Sequence, residues 1–300
     1  MRRPLLKTVV SSEVGKLSGS TKLAAVIGDP VQHSLSPALF NGAFDAMGMD
    51  WVYLAFTVEA DGAAQAVKSM RALGIRGMSV TMPHKVDVIA ALDSLSPTAE
   101  LLNAVNCIVN NDGHLRGYNT DGAGFLGSLI AQGFDPADKT CLVVGAGGAA
   151  RAVILALAEA GASEVIVHNR DLGRATVAAA LGAGAGSVGS SGHLEDDLAK
   201  CDLAINCTPL GMQPDDEPPM PFRAIRKDQF VADLIYHPAQ TPLLEAAQNV
   251  GAEHCNGVGM LTHQATEAFT LITGIDAPLK PMESAMRAAL EGRSANKLPE

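Results

Sequence analysis

CLVVGAGGAAR, residues Cys141–Arg151, is the stretch whose reading decides the fold. Leu142, Val143 and Val144 form a short apolar run, as a strand buried on both faces does. Gly145, Gly147 and Gly148 follow at once, and Ala149, Ala150 and Arg151 open a helical pattern that runs to Gly161. Strand, glycine turn and helix in that order make a phosphate cradle. The missing side chains let a pyrophosphate approach the backbone, and the helix N-terminus supplies free N–H groups and a partial positive charge. A bare glycine turn is common; the flanking strand and helix supply the context of a dinucleotide site.

The next strand outward, Glu164–Val167, ends in His168, Asn169, Arg170, Asp171, Leu172, Gly173 and Arg174. In dinucleotide-binding folds an acid about twenty residues past the glycines binds the ribose 2′-hydroxyl of NAD. Asn169 and Arg170 hold that place here. A guanidinium there suits a 2′-phosphate, and Arg174 adds a second positive charge, so the reading is NADP. Asp171 weighs the other way, because a carboxylate repels a phosphate; NAD stays the alternative.

Bulk properties narrow the class. Three hundred residues suggest two domains. The apolar share is carried by small and aliphatic residues, which suits packed α/β layers. A net charge of −10 argues against a nucleic-acid partner held by bulk electrostatics. An anionic cofactor must then be held by local positive charge and backbone dipoles. No apolar run approaches the roughly 20 residues of a membrane span, which argues against a membrane partner. The five cysteines, Cys107, Cys141, Cys201, Cys207 and Cys255, show no metal-ligand spacing. They read as free thiols in a reducing, cytoplasmic compartment, and no metal is expected. Residues 1–21 read as an extension without an apolar leader core.

Ahead of the glycine turn, Lys22–Gly28 reads as a first strand, followed by the loop Asp29–Pro37 and a helix over Ala38–Met47. Ser36-Pro37 has the form of an N-cap followed by proline at the first helical position. The other use of Ser34 and Ser36 is to offer two hydroxyls to a polyol or carboxylate; local chemistry favours the cap. Trp51–Thr57 and Arg76–Met82 read as strands, with a helix over Ala60–Leu73 between them. Lys85 follows the second of these, at the carboxyl end where open α/β sheets place ligands; a solvated surface lysine is the plain alternative. His84 reads as packing or capping. Ala104–Asn110 and His114–Tyr118 are strands joined by Asn111-Asp112-Gly113, a hairpin signal. Asn119-Thr120-Asp121-Gly122 then opens a helix over Ala123–Gln132. Gly133–Lys139 reads as a domain junction. Beyond the glycine turn, Asp202–Cys207 and Phe230–Ile235 read as strands, Thr208–Phe222 as a Pro-rich loop with a solvated acidic run at Asp215–Glu217, and Ala180–Gly192 as a loop with a short strand as the alternative. Helices close the chain.

Seven segments stand in one order: GDPVQHSLSP, SVTMPHK, AVN with YNTDG, GAGGAAR, NRDLGR, DLIYHP and GVGMLTHQA. In that order they resemble the shikimate dehydrogenase family, which includes the quinate/shikimate dehydrogenases, over about residues 22–290. The resemblance implies an α/β protein of two domains: an N-terminal α/β substrate domain (22–122 plus 260–300) and a Rossmann-type, doubly wound NADP domain (123–259), with the active site in the cleft. It implies reversible reduction of 3-dehydroshikimate to shikimate with NADPH, by a monomer or homodimer. By matching positions, Ser34 and Ser36 hold the substrate carboxylate, while Thr81, Asn106, Tyr236 and Gln264 line the polyol ring. Lys85 and Asp121 form the catalytic pair. Gly145, Ala146, Gly147, Gly148 and Ala149 cradle the pyrophosphate. Asn169, Arg170, Asp171 and Arg174 hold the 2′-phosphate, and Leu234 and Gly257 lie near the nicotinamide. The match reverses the local preference at Ser34, Ser36 and Lys85. Two departures bear on specificity. Ser79, Met82 and His84 replace the family's usual Asn, Val and Phe, which leaves quinate or another cyclitol open. Asp171 stands where NADP-preferring members often carry Thr. A non-catalytic NADP-binding regulator is the rival of a different class; the presence of both Lys85 and Asp121 argues against it.

Overall fold

The computed structural model describes residues 17–295 apart from Ser191 and Pro214, so most of the expected extension over 1–21 lies outside the described residues. The first half of the chain runs β1 (Lys22–Gly28), α1 (Ser36–Met47), β2 (Trp51–Thr57), α2 (Ala63–Leu73), β3 (Gly77–Val80), β4 (Ser94–Leu95), α3 (Pro97–Leu102), β5 (Cys107–Asn111), β6 (His114–Tyr118) and α4 (Asp121–Ala131). Its strands form one six-stranded sheet in the order β2-β1-β3-β5-β6-β4. The β1, β2 and β3 pairings are parallel; β5 runs antiparallel to both β3 and β6. The expected hairpin forms, with Asp112 at φ +50° and Gly113 at φ +99°, the backbone that a tight two-residue turn between twisted strands requires.

Two local expectations give way. Ser36 is not the cap of α1. The N-cap position falls on Leu35 without a side-chain cap, and the Ser34 hydroxyl accepts from the Ser36 amide at 3.3 Å. The acidic run is not merely solvated: Asp216 accepts from the Gly211 and Gln213 amides, both at 2.9 Å, and these bonds hold its carboxyl below the usual range. Helix α3 is capped by the Ser96 hydroxyl, which accepts from the Ala99 amide at 3.2 Å.

The second half runs β7 (Thr140–Val144), α5 (Gly148–Glu159), β8 (Glu164–His168), α6 (Leu172–Ala179), β9 (Gly186–Val188), α7 (Leu194–Lys200), β10 (Leu203–Asn206), β11 (Phe230–Asp233), α8 (Pro242–Val250), β12 (Glu253–Cys255), α9 (Gly257–Thr273) and α10 (Leu279–Ala295). The order β12-β11-β10-β7-β8-β9 is all parallel and reverses direction between β7 and β10. That reversal is the Rossmann switch point, where a crevice opens at the strands' carboxyl ends.

Helices α9 and α10 return to the first sheet. Phe269, Met282 and Met286 bury against Phe40, Phe44 and Tyr53. Helix α4 does the opposite: Phe125 and Leu129 pack with Val153 and Leu157 under the second sheet. The α4–α9 crossing is close because glycines line it. A Cβ on Gly124 would lie 2.6 Å from the Gln264 amide nitrogen, and one on Gly259 would overlap the Ser128 hydroxyl. Gly257, at the first turn of α9, is packed as tightly: a Cβ there would overlap the Leu234 carbonyl. Backbone cannot yield as a side chain does. Gly257→Ala should therefore lower the free energy of unfolding by about 1–3 kcal/mol, read by urea titration.

Candidate active site

A cleft of about 340 Å³ lies where the carboxyl ends of the two sheets face each other. It is lined by Ser34, Ser36, Thr81, Lys85, Asn106, Asp121, Tyr236 and Gln264, together with Ala149, Leu234 and Gly257. The sequence had assigned all eleven to substrate or cofactor, and the fold brings them to one wall set.

Lys85 Nζ donates to Asp121 Oδ2 at 2.6 Å. The other carboxylate oxygen, Oδ1, accepts from Asn106 Nδ2 at 2.7 Å. Asp121 is the first residue of α4, where a carboxylate gains from the positive end of the helix, and its amide donates to Asn119 Oδ1 at 3.1 Å. The Asn106 carbonyl oxygen Oδ1 accepts from the Thr120 amide at 2.8 Å. Lys85 is pinned from the backbone side. Its carbonyl accepts from the Val105 amide at 2.7 Å, and its neighbour His84, fully buried, places Nε2 2.7 Å from the Val58 carbonyl. A carbonyl only accepts, so His84 Nε2 carries the proton; the packing role read for it holds. Gln264 donates through Nε2 to the Leu261 carbonyl at 3.0 Å, and Thr120 Oγ1 reaches its Oε1 at 3.5 Å. Asn106 and Gln264, which line the cleft, are thus linked through the buried Thr120 hydroxyl.

Beside the cleft, a groove of about 290 Å³ is lined by Ala146, Gly147, Gly148, Arg151, Gly173 and Arg174. This groove fits a dinucleotide's phosphates on three counts. Gly147 and Gly148 face open space where a Cβ would stand. Gly145 holds φ +121° and lies against the Cys207 backbone, a conformation and an approach that a side chain obstructs. Arg151 Nε is buried without a hydrogen-bond partner among the described residues, an orphan donor beside an anion-binding helix terminus. Asn169 and Arg170 lie at the end of β8, and Arg170 is exposed. Asp171 is placed differently from expectation. It is the N-cap of α6, with Oδ1 accepting from the Arg174 amide at 3.1 Å, while Asn169 Nδ2 donates to its carbonyl at 2.9 Å. Its Oδ1 is engaged by the N-terminus of that helix.

The sequence reading missed a buried brace between β10 and β11. Asp233 Oδ1 accepts from Asn206 Nδ2 at 3.0 Å and the Ile235 amide at 3.1 Å, and Oδ2 accepts from Thr241 Oγ1 at 2.7 Å. Burial pushes its carboxyl above the ordinary range despite these bonds. The brace fixes Leu234 and Tyr236 at the cleft. Polar residues at adjacent strand ends were its only sequence signal. Arg151 was in the quoted stretch, but its orphaned guanidinium nitrogen shows only in three dimensions. Burial raises the thiols of Cys107, Cys141 and Cys201 to about 12, so none of these is a thiolate nucleophile at neutral pH. Among the described residues no group of three or more His, Cys, Asp or Glu could hold a metal.

A glycine-lined phosphate groove opening beside a cleft with a lysine–carboxylate pair defines a two-domain, nicotinamide-dependent oxidoreductase. Comparison with known proteins gives the family. The family model for the shikimate dehydrogenase substrate binding domain matches residues 26–108. The shikimate/quinate 5-dehydrogenase model matches 128–211, and that for the shikimate 5′-dehydrogenase C-terminal domain matches 257–287. The chain is 45% identical over 287 residues to a shikimate dehydrogenase (NADP+) of Moorella thermoacetica, covering 93% of this chain and 97% of the relative. It is 42% identical over 279 residues to one of Methanopyrus kandleri, covering 90% and 96%. Shikimate 5-dehydrogenase of Thermus thermophilus, solved in complex with NADP(H) and shikimate, superposes with a TM-score of 0.82 at 36% identity, covering 89% of this chain and 99% of that one. The chain belongs to the shikimate dehydrogenase family.

The open space at Gly147 yields a clean test. Its φ of −80° is one any residue adopts, so Gly147→Ala should leave unfolding within about 0.5 kcal/mol of the parent. The added methyl stands where a pyrophosphate must approach. NADP affinity, read by fluorescence titration, should fall at least tenfold; undiminished affinity would remove this groove as the cofactor site.

Proposed function

We propose that the chain is an NADP-dependent shikimate dehydrogenase, catalysing reversible reduction of 3-dehydroshikimate to shikimate in the route to chorismate and the aromatic amino acids. The observation that carries the reading is the 2.6 Å Lys85–Asp121 pair, set in a polar cleft next to the glycine groove. When bound, NADPH supplies hydride to the substrate carbonyl carbon; the redox chemistry is the cofactor's. The chain's part is to bind, orient and handle one proton. The Lys85 ammonium, within reach of the carbonyl oxygen, donates the proton that turns it into a hydroxyl, and its charge stabilises the anion developing there. Asp121, with both oxygens already engaged, orients that amine and accepts from a neighbouring substrate hydroxyl. In the reverse direction the same lysine, as amine, takes the proton.

Ser34 and Ser36, at the entrance to α1, present two hydroxyls suited to the substrate carboxylate. Thr81, Asn106, Tyr236 and Gln264 supply donors and acceptors around a polyol ring. Ala146, Gly147, Gly148 and Ala149, with Gly145 behind them, cradle the pyrophosphate, and Leu234 and Gly257 flank the nicotinamide. Arg170 and Arg174 pair with the 2′-phosphate together with Asn169, and Asp171 contributes as the cap that orders Arg174. The substrate side comprises 22–122 and 260–300 and the nucleotide side 123–259. No helix among the described residues is long and apolar enough to cross a membrane. The cytoplasm is the compartment this reading assigns, supported by the five unpaired thiols, and the working form is a monomer or homodimer.

Initial rates of shikimate and quinate oxidation, each with NADP and NAD, test the assignment. Shikimate with NADP should give the dominant kcat/KM; a dominant quinate or NAD rate would replace it with the quinate/shikimate alternative. Lys85→Ala should lower kcat by about 10²–10⁴-fold with a much smaller change in shikimate KM. An unchanged kcat would remove Lys85 as the proton donor.

A further inference from the structure

Ser79 lies in β3, opposite Val26 of β1 and Cys107 of β5, and its side chain lines the cleft. From inside the protein a second group reaches it. Tyr53 of β2 is fully buried, and its phenol O–H donates to Ser79 Oγ at 2.7 Å. The ring crosses from β2 past β1, where the residue opposite Tyr53 is the small Ala24. It is clamped on the way: Phe40 stacks on it at 4.1 Å, and Asn41 brackets its backbone, accepting from the Tyr53 amide at 2.8 Å and donating to its carbonyl at 2.9 Å.

The surrounding aromatics, Phe40, Phe44 and Phe269, carry no polar atom, and a phenylalanine would fill the same core. A hydroxyl placed there must be hydrogen-bonded, and Ser79 is its partner. Burial also raises the phenol pKa, so the group stays a neutral donor across the working range. These facts fix the direction of the bond. Were Ser79 the donor, the phenol proton would be left buried without an acceptor. With Tyr53 donating, Ser79 Oγ is the acceptor, and the serine keeps its own proton. Its half-exposed side faces the cleft.

We propose that Tyr53 is a positioning residue that aims the Ser79 hydroxyl into the cleft as a hydrogen-bond donor, so that the site selects a ring substrate offering an acceptor oxygen at that point. The inference rests on the functional reading above and deepens it. A serine held this way is short and directional. It recognises one oxygen of the ring, where the family's more usual asparagine amide presents both a donor and an acceptor.

The test is steady-state kinetics of Tyr53→Phe, Ser79→Ala and the double variant at saturating NADP, with thermal unfolding in parallel. Tyr53→Phe should raise shikimate KM about fivefold and leave kcat within about twofold, the scale of one misdirected hydrogen bond. Ser79→Ala should raise KM at least as much, and the double variant should be no worse than Ser79→Ala alone, because Tyr53 acts only through Ser79. An unchanged KM in Tyr53→Phe, or losses that multiply in the double variant, would overturn the proposal. If Tyr53→Phe does not fold, Ser79→Ala carries the test, and an unchanged KM there overturns it. Absence of turnover by the parent enzyme would instead overturn the functional reading and this inference with it.

Discussion

The structure is organised around one buried carboxylate engaged through both of its oxygens. Asp121 Oδ2 accepts from Lys85 and Oδ1 from Asn106, while its amide is held by Asn119. An ion buried to this degree is tolerable only when its lone pairs are met and a counter-charge is close. Each partner comes from a different place: Lys85 from the loop after β3, Asn106 from the start of β5, Asn119 and Thr120 from the turn between β6 and α4. The first sheet's unusual order, with an antiparallel hairpin set beside parallel strands, brings those three points together. Satisfying Asp121 therefore specifies the local topology as well as the chemistry.

The nucleotide groove solves a different electrostatic problem. The chain carries ten excess negative charges, and an anionic cofactor must bind against that background. The solution is local. Backbone N–H groups at the start of α5, an Arg151 Nε without a partner among the described residues, and Arg174 line the groove proposed for the phosphates. Asp171 looked like an obstacle in the sequence. In the fold it caps the N-terminus of α6 and so holds the Arg174 amide.

What was legible in the sequence is what short-range physics writes there. The glycine turn, the Asp112-Gly113 hairpin and the periodic helices each depend on neighbours in the chain, and each appears where it was read. The Lys85–Asp121 pair was legible only through the ordered set of seven segments, because a lysine after a strand has no local mark of function. Ser36 shows the limit in miniature: its local form was that of a cap, and the hydroxyl that engages the turn is Ser34's. The Asn206–Asp233–Thr241 brace and the Tyr53–Ser79 bond join residues 27, 8 and 26 positions apart. In the sequence Tyr53 is one more aromatic in a strand, indistinguishable from a phenylalanine until its hydroxyl finds a partner.

Helix α4 binds these two regions into one site. Its first residue, Asp121, belongs to the polar set of the first sheet, while Phe125 and Leu129, one and two turns on, are core residues of the second. Across its other side it meets α9 through Gly124, Gly127 and Gly259, so closely that a methyl group on Gly124 would strike backbone. Helix α9 in turn carries Gln264 into the cleft at one level and buries Phe269 in the first sheet's core at another. Each helix is thus anchored in both halves, and neither can shift along the other without a clash. The position of the Asp121 carboxylate is accordingly set by helix packing in two cores, while Lys85, on the loop after β3, is held to it by the 2.6 Å bond and by its own carbonyl accepting from the Val105 amide. For the reaction proposed above, that is the precision Lys85 needs as proton donor to a carbonyl whose carbon must also meet the nicotinamide.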